Sequence, residues 1–181
     1  MASGRGRRFG GNKLLHPVEG RPLILRTMDA LPPRLFCRAA VVSDWPEVLD
    51  LARRGGFLPV ENPLADEGQA ASVRLGLQAL GEVDGTLFAV CDQPFLKTDS
   101  IIKLLDCFAE SPDRICALSW AGKRGNPVVF PAALFPELLA LAGDVGGGAV
   151  IRAHPERLRL VEAADPAELR DVDTPADLGQ T

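Results

Sequence analysis

Apolar residues along this 181-residue chain alternate between helically spaced sets and short continuous runs. Leu23, Leu25, Met28 and Leu31 recur at helical spacing behind Pro22 and predict a helix over residues 22–31. Residues 39–43 (AAVVS) read as a short buried strand. Residues 46–54 predict a helix halted by Gly55-Gly56, and residues 57–61 a strand. Val73, Leu77 and Leu80 give residues 68–80 one apolar helical face. Residues 86–91 (TLFAVC) are β-rich without polar alternation and form the strongest buried-strand segment. Ile101, Leu104, Leu105 and Phe108 predict a helix over 100–110, with Asp99 or Ser100 as its cap. Strands at 114–119 and 126–130 flank a glycine-containing turn. A helix over 132–142 ends at Gly143, and a short helix (149–153), a strand (158–161) and a helical turn (175–178) follow.

Strands and helices that alternate, with strands apolar on both faces, predict an α/β domain. Its layers are α/β/α, Rossmann-like, around a mostly parallel sheet, with one domain over residues 1–181. Ligands of such sheets bind beyond the carboxyl ends of the strands. Two polar segments fall there: Asn62-Pro63 after the strand at 57–61, and Asp92-Gln93-Pro94 after the strand at 86–91.

Apolar residues make up 46% and mean hydropathy is +0.08, which excludes global disorder. The longest uncharged stretch, residues 125–136, is broken by three prolines, so no transmembrane span is expected. Residues 1–13 are rich in Gly and Arg and lack the apolar segment of a signal peptide, which points to the cytoplasm. Cys37, Cys91, Cys107 and Cys116 form no C-x-x-C pair, and each lies in or beside an apolar run. They read as buried thiols of a reducing compartment. His16 and His154 are too isolated for a zinc site.

The net charge of −4 hides an asymmetry: residues 1–38 sum to +6 and the remainder to −10. A basic head on an acidic body suggests an anionic ligand at the N-terminal end. The excess does not extend along the chain as in a nucleic-acid binder. The head contains SGRGRRFGGNK (3–13), whose glycines and cations suit a polyphosphate. It fits neither the Walker pattern, which needs S or T after Lys13, nor G-x-G-x-x-G, because Gly4, Gly6 and Gly10 are spaced differently. A disordered basic tail and an NTP-binding loop of another type both accommodate these residues.

The segment MASGRGRRFGGNKLLHPVEGRPLI resembles the LAAGxSxRMGxxKLLLPxxGxPLL signature of MobA-like nucleotidyltransferases. DEGQAASVRLGL, CDQPFL, KRGNPVVF, LAGDVGGGAVI and DVDTPADL follow in the family's order and cover nearly the whole chain. The RGNP, GD-x-G and DxDTP segments are more similar to the branch of molybdenum-cofactor cytidylyltransferases and molybdenum-hydroxylase accessory proteins than to the guanylyltransferase branch. The resemblance implies a nucleotide-diphospho-sugar-transferase-like fold and an NTP with Mg²⁺ or Mn²⁺. It implies transfer of CMP from CTP to molybdopterin cofactor, and a molybdenum hydroxylase apoenzyme as partner. Family members place a short apolar strand before the loop where Met1 aligns. The first strand is therefore expected to be truncated here and the natural chain to extend upstream.

By the same resemblance, Lys13 would meet the α-phosphate and Arg8 the β,γ-phosphates. The backbone of Ala2, Ser3, Gly4, Arg5 and Gly6 would line the triphosphate and base. Asp92 and Asp173 would hold the metal, with Asp173 preferred over Asp171. Asn62 and Ser72 would face base or sugar, and Arg124, Asn126 and Asp144 the acceptor. Local readings stand beside these roles. Asp92 suits a cap or solvated turn, Asp173 an N-cap, Asn62 a turn, and Ser72 a helix surface hydroxyl. Trp45 and Trp120 read as packing residues.

Overall fold

In the computed structural model, residues 1–3, 12–174 and 177 are described. A 3₁₀ turn (Lys13–Leu15) leads through a small antiparallel ribbon, β1 (Pro17–Val18) and β2 (Arg21–Pro22), into α1 (Leu23–Ala30). β3 (Ala40–Ser43), α2 (Pro46–Arg54) and β4 (Leu58–Glu61) form a βαβ unit whose strands pair in parallel, Val42 opposite Val60. α3 (Gln69–Leu80), β5 (Gly85–Phe88) and α4 (Thr98–Glu110) follow. The hairpin of β6 (Ile115–Trp120) and β7 (Lys123–Pro131) comes next, then α5 (Phe135–Leu139), α6 (Gly148–Ala153) and β8 (Leu158–Glu162). The remaining four strands form one sheet in the order β5-β7-β6-β8.

The α/β/α layering follows from two-sided burial. Along β6, Ile115 and Ala117 point into the cluster under α3, α5 and α6, while Cys116 and Leu118 point to the α4 side. All four are 0% exposed. α1 contributes Leu23 and Ile24, and α4 contributes Ile101 and Leu104, each also 0% exposed. Burial of such a side chain stabilises by about 1.5–3 kcal/mol.

The sheet is mostly parallel as the pattern implied, with β7 as the reversed strand. β6 and β8 pair in parallel, but β7 runs antiparallel to both β5 and β6. The Ala121-Gly122 turn, with φ of 48° and 74°, folds β7 straight back on β6, and only a longer crossover could have made them parallel. Boundaries shift as well. β5 ends at Phe88, so the predicted strand at 86–91 is halved. α4 begins at Thr98 with no side-chain cap, so neither Asp99 nor Ser100 fills that role. The predicted helix at 132–142 is a 3₁₀ turn (Ala132–Leu134) followed by the short α5, which gives way before Gly143 (φ 64°). The predicted turn at 175–178 lies outside the described residues except Asp177.

Between β3 and the segment after β5, the chain start acts as a short strand. Met1 donates from its terminal nitrogen to Ala89 O at 2.7 Å and accepts from Cys91 N at 3.2 Å. Ala2 N donates to Val42 O at 2.9 Å. Below this stub, β3 and β5 are not paired with each other. They border a cavity of about 270 Å³ lined by apolar groups such as Met28, Val41, Phe57 and Leu87.

All four cysteines are free. Cys91 and Cys116 are buried and Cys107 is half-buried, but Cys37 is exposed, because the turn after Pro33–Leu35 carries it over the surface. Burial and the neighbouring Cys107 push the Cys116 thiol up to about 12. Trp45 packs on the α1–α2 core as expected, whereas Trp120, at the end of β6, is 38% exposed. Among the described residues, no helix is long and apolar enough to cross a membrane.

Candidate active site

The chemistry gathers at the carboxyl ends of the strands. Asn12 caps the 3₁₀ turn with its carboxamide oxygen on Leu14 N at 3.0 Å, and Leu14, 3% exposed, anchors the turn in the α1–α2 core. Lys13 is thereby aimed inward. Its Nζ donates to Asp92 Oδ2 at 2.7 Å, Asp173 Oδ1 at 3.1 Å and Val172 O at 3.2 Å. Residues separated by 79 and 160 positions meet at one ammonium group. Burial alone would lower the Lys13 pKa. The hydrogen bonds and charges of Asp92 and Asp173 outweigh it, and the net shift is upward.

The Asp92 backbone is pinned by Val172 N, which donates to Asp92 O at 2.9 Å. Asp177 accepts from both Asp173 N and Thr174 N, which shapes the turn carrying Asp173 and holds the Asp177 carboxyl below its usual range. Gln93, 2% exposed, donates from its amide to Leu169 O at 3.3 Å and Asp171 Oδ1 at 2.9 Å. Asp171 therefore belongs to the supporting layer and does not touch Lys13 by hydrogen bond. Partial burial first, and the Asp92 charge second, raise its carboxyl above the usual range. Gln93 had no assigned role in the sequence reading, although it sits inside the D-Q-P turn. Nor had Thr27, whose hydroxyl lies 3.2 Å from both Cys91 O and Gln93 O. Glu168, 0% exposed, accepts from Lys97 N and Ala164 N. Such residues leave little sequence signal because most of their partners come from distant segments.

Ser3, Asn62 and Ser72 also converge. Asn62 Nδ2 donates to Ser3 Oγ and Ser72 Oγ, both at 3.1 Å, and its Oδ1 accepts from Leu64 N at 3.0 Å. Asn62 is 1% exposed: its oxygen serves the local turn, as the turn reading expects, and its amide braces the two hydroxyls from beneath. Ala2 is corrected. Its side chain is core, its N–H is spent on Val42 O, and its carbonyl accepts from Ser43 Oγ at 2.9 Å. It presents no backbone donor to a ligand. Gly4, Arg5, Gly6 and Arg8 lie outside the described residues.

Two adjoining cavities open here. One, of about 290 Å³, is lined by Ser3, Lys13, Ser72, Asp92 and the start of α3; the other, of about 350 Å³, by Arg124, Asn126, residues 146–148 and Arg152. Met1, Gln69, Val90 and Asp144 line both. Asp144 Oδ1 accepts from Gln69 N at 3.3 Å, and Gly143 O from Ala70 N at 3.2 Å, so the G-D segment caps α3. Gly68 makes this approach feasible, because its φ is 92° and a Cβ there would lie 2.6 Å from the Asp144 backbone. The segment after the G-D pair thus lines the second cavity beside Arg124 and Asn126. An aspartate-braced lysine thus lines one hollow, and two arginines line the next.

Residues 1–158 match the family model described as MobA-like NTP transferase domain. The chain belongs to this family. It is an enzyme of the nucleotidyltransferase class. The MobA-like chain is 30% identical to the purine catabolism protein PucB of Bacillus subtilis (strain 168), over 98% of this chain and 91% of the relative. It is 30% identical to a molybdenum cofactor guanylyltransferase of Cupriavidus necator, over 96% and 89%. A solved nucleotidyl transferase from Methanothermobacter thermautotroptrophicus superposes with a TM-score of 0.79 at 26% identity, covering 97% of this chain and 90% of that one.

Proposed function

We propose that this MobA-like enzyme transfers CMP from CTP to molybdopterin cofactor and releases pyrophosphate. The observation that carries the reading is the Lys13 ammonium held by Asp92 and Asp173 in a hollow that adjoins the Arg124–Asn126 cavity. A phosphate oxygen of the acceptor forms a bond to the α-phosphorus. The bond to the α–β bridging oxygen breaks, and its electron pair leaves with pyrophosphate. Such transfers depend on positioning and charge stabilisation.

Lys13, a compact point charge, would follow the α-phosphate oxygens. Arg8 is assigned the β,γ-phosphates, and the backbone of Gly4, Arg5 and Gly6 the triphosphate. Ser3 and Ser72, braced by Asn62, would face base or sugar. The donor set fits Mg²⁺ or Mn²⁺: Asp92 Oδ1 is buried with no hydrogen-bond partner, and Asp173 stands across Lys13. No cluster of three ligating side chains exists among the described residues, which suits a cation completed by phosphate oxygens and water. A bound divalent cation would neutralise charge on the triphosphate.

The choice of CTP rests on the RGNP, GD-x-G and DxDTP segments, and the guanylyltransferase relative makes GTP the competing donor. Pyrophosphate release should be followed with each of CTP, GTP, ATP and UTP, in Mg²⁺ and molybdopterin. Release with CTP is expected. Release with GTP alone would reject the base, and release only with a sugar or alditol phosphate would reject the acceptor. A molybdenum hydroxylase apoenzyme would then receive the product. A non-catalytic carrier of the cofactor would deliver it at full rate after Asp92→Ala, which the proposed enzyme would not.

A further inference from the structure

The second cavity holds a pair of cations that the fold leaves unmatched. Arg124, on β7, and Arg152, on α6, are exposed, and neither has a carboxylate partner among the described residues. Their guanidinium groups nevertheless converge. A Cβ built on Gly148 would lie 3.5 Å from Arg152 Nη1 and 3.7 Å from Arg124 Nη2, so these two nitrogens are at most about 7 Å apart. Like charges so placed repel each other. Beyond residue 38 the chain carries a net charge of −10, so carboxylates to separate or neutralise them are not scarce. The acidic residue on the cavity wall, Asp144, accepts from Gln69 N through Oδ1 and forms no ion pair with either arginine among the described residues.

The glycine run between them supplies room. A Cβ on Gly146 would strike Gln69 Oε1 at 2.5 Å, and one on Gly147 would strike the Phe130 ring at 2.8 Å, so these two glycines serve close packing. Gly148 differs, because its missing Cβ points into the space between the arginines and meets nothing closer than their nitrogens.

We propose that Arg124 and Arg152, with Gly148 leaving the space between them, form a seat for a phosphate-like dianion of the acceptor substrate. Guanidinium forks can each donate two hydrogen bonds to one oxyanion, and this anion would relieve the repulsion between them. The assignment to the acceptor rests on the proposed nucleotidyl transfer. The seat adjoins the Lys13 hollow across the Gln69–Asp144 wall that both cavities share. Arg152 is the new member: nothing in its local sequence marks it.

The first test needs no turnover. In Lys13→Met, where the donor site is impaired, tens of millimolar inorganic phosphate should raise the melting temperature relative to chloride of equal ionic strength. Adding Arg152→Gln or Gly148→Glu should abolish that rise. The second of these substitutions puts a carboxylate of the chain itself into the seat, at a position without a positive φ and so without backbone strain. The same comparison in wild type and the single variants applies if the double variants fail to fold. In the transfer assay, Arg152→Gln should raise the KM for molybdopterin about tenfold or more and leave the KM for CTP unchanged, with Arg152→Lys intermediate. A phosphate-induced rise that survives both substitutions overturns the seat. A changed KM for CTP with an unchanged KM for molybdopterin would reassign it to the donor phosphates and overturn the proposal. If wild type turns over no nucleotide, the proposed function fails, while the phosphate titration still decides the seat.

Discussion

Replacing Lys13 with Met keeps the length and apolar stem of the side chain and deletes one charge with three hydrogen bonds, to Asp92, Asp173 and Val172 O. The Lys13 side chain is 12% exposed, Asp92 21% and Asp173 61%, so the arrangement is neither a surface pair nor a sealed one. Breaking a fully buried pair costs about 3–5 kcal/mol and a surface pair under about 1. The mixed exposure places Lys13→Met at about 1–3 kcal/mol. At about 2–4 °C per kcal/mol for a chain of this size, the melting temperature should fall by about 2–12 °C. Activity should suffer more than stability. Removal of one preorganised donor to developing charge costs about 10²–10³-fold in kcat, and Lys13→Met should lose at least that in pyrophosphate release. Lys13→Arg should keep most of the stability but little of the rate, because a planar fork cannot follow the α-phosphate as an ammonium does. The assay pairs thermal melts with steady-state kinetics under saturating nucleotide. A Lys13→Met enzyme within tenfold of wild-type kcat would refute the assignment, whatever its melting temperature.

Further outcomes follow from neighbouring residues. Asp92→Asn should abolish nucleotide-dependent Mn²⁺ binding, read by water-proton relaxation, because it removes the charged carboxylate that carries the unpartnered Oδ1; retained binding would move the cation elsewhere. Asp171 has a folded pKa above its unfolded value, so its ionised form costs stability at neutral pH, and that cost vanishes as pH falls through the ordinary carboxylate range. Asp171→Asn, which can still accept from Gln93, should therefore raise the melting temperature at pH 7 and lose that advantage below about pH 4; an equal gain at both pH values would contradict this. Gly68→Ala forces φ of 92° on a residue with a Cβ and drives that Cβ against the Asp144 backbone. A loss of about 2 kcal/mol or more is expected in denaturant melts.

The sequence by itself determined the alternation of elements. α2 matches the predicted residues, and α1, β3, β4 and α3 differ by one residue at an end or two, because helical periodicity and Gly or Pro punctuation act within a few positions. It also marked Lys13, Asp92 and Asp173, which the fold brings to one ammonium, and Ser3, Asn62 and Ser72, which it joins by hydrogen bonds. Local pattern could not supply the direction of β7, the division of the sheet, or the end of β5 at Phe88, since strand pairing depends on edges distant in the chain. Nor could it show that the Ala2 side chain is core, that Gln93 and Glu168 hold the site from beneath, or that Arg152 meets Arg124 over Gly148. Each of these depends on a backbone group or side chain from a remote segment, and only tertiary packing fixes such distances.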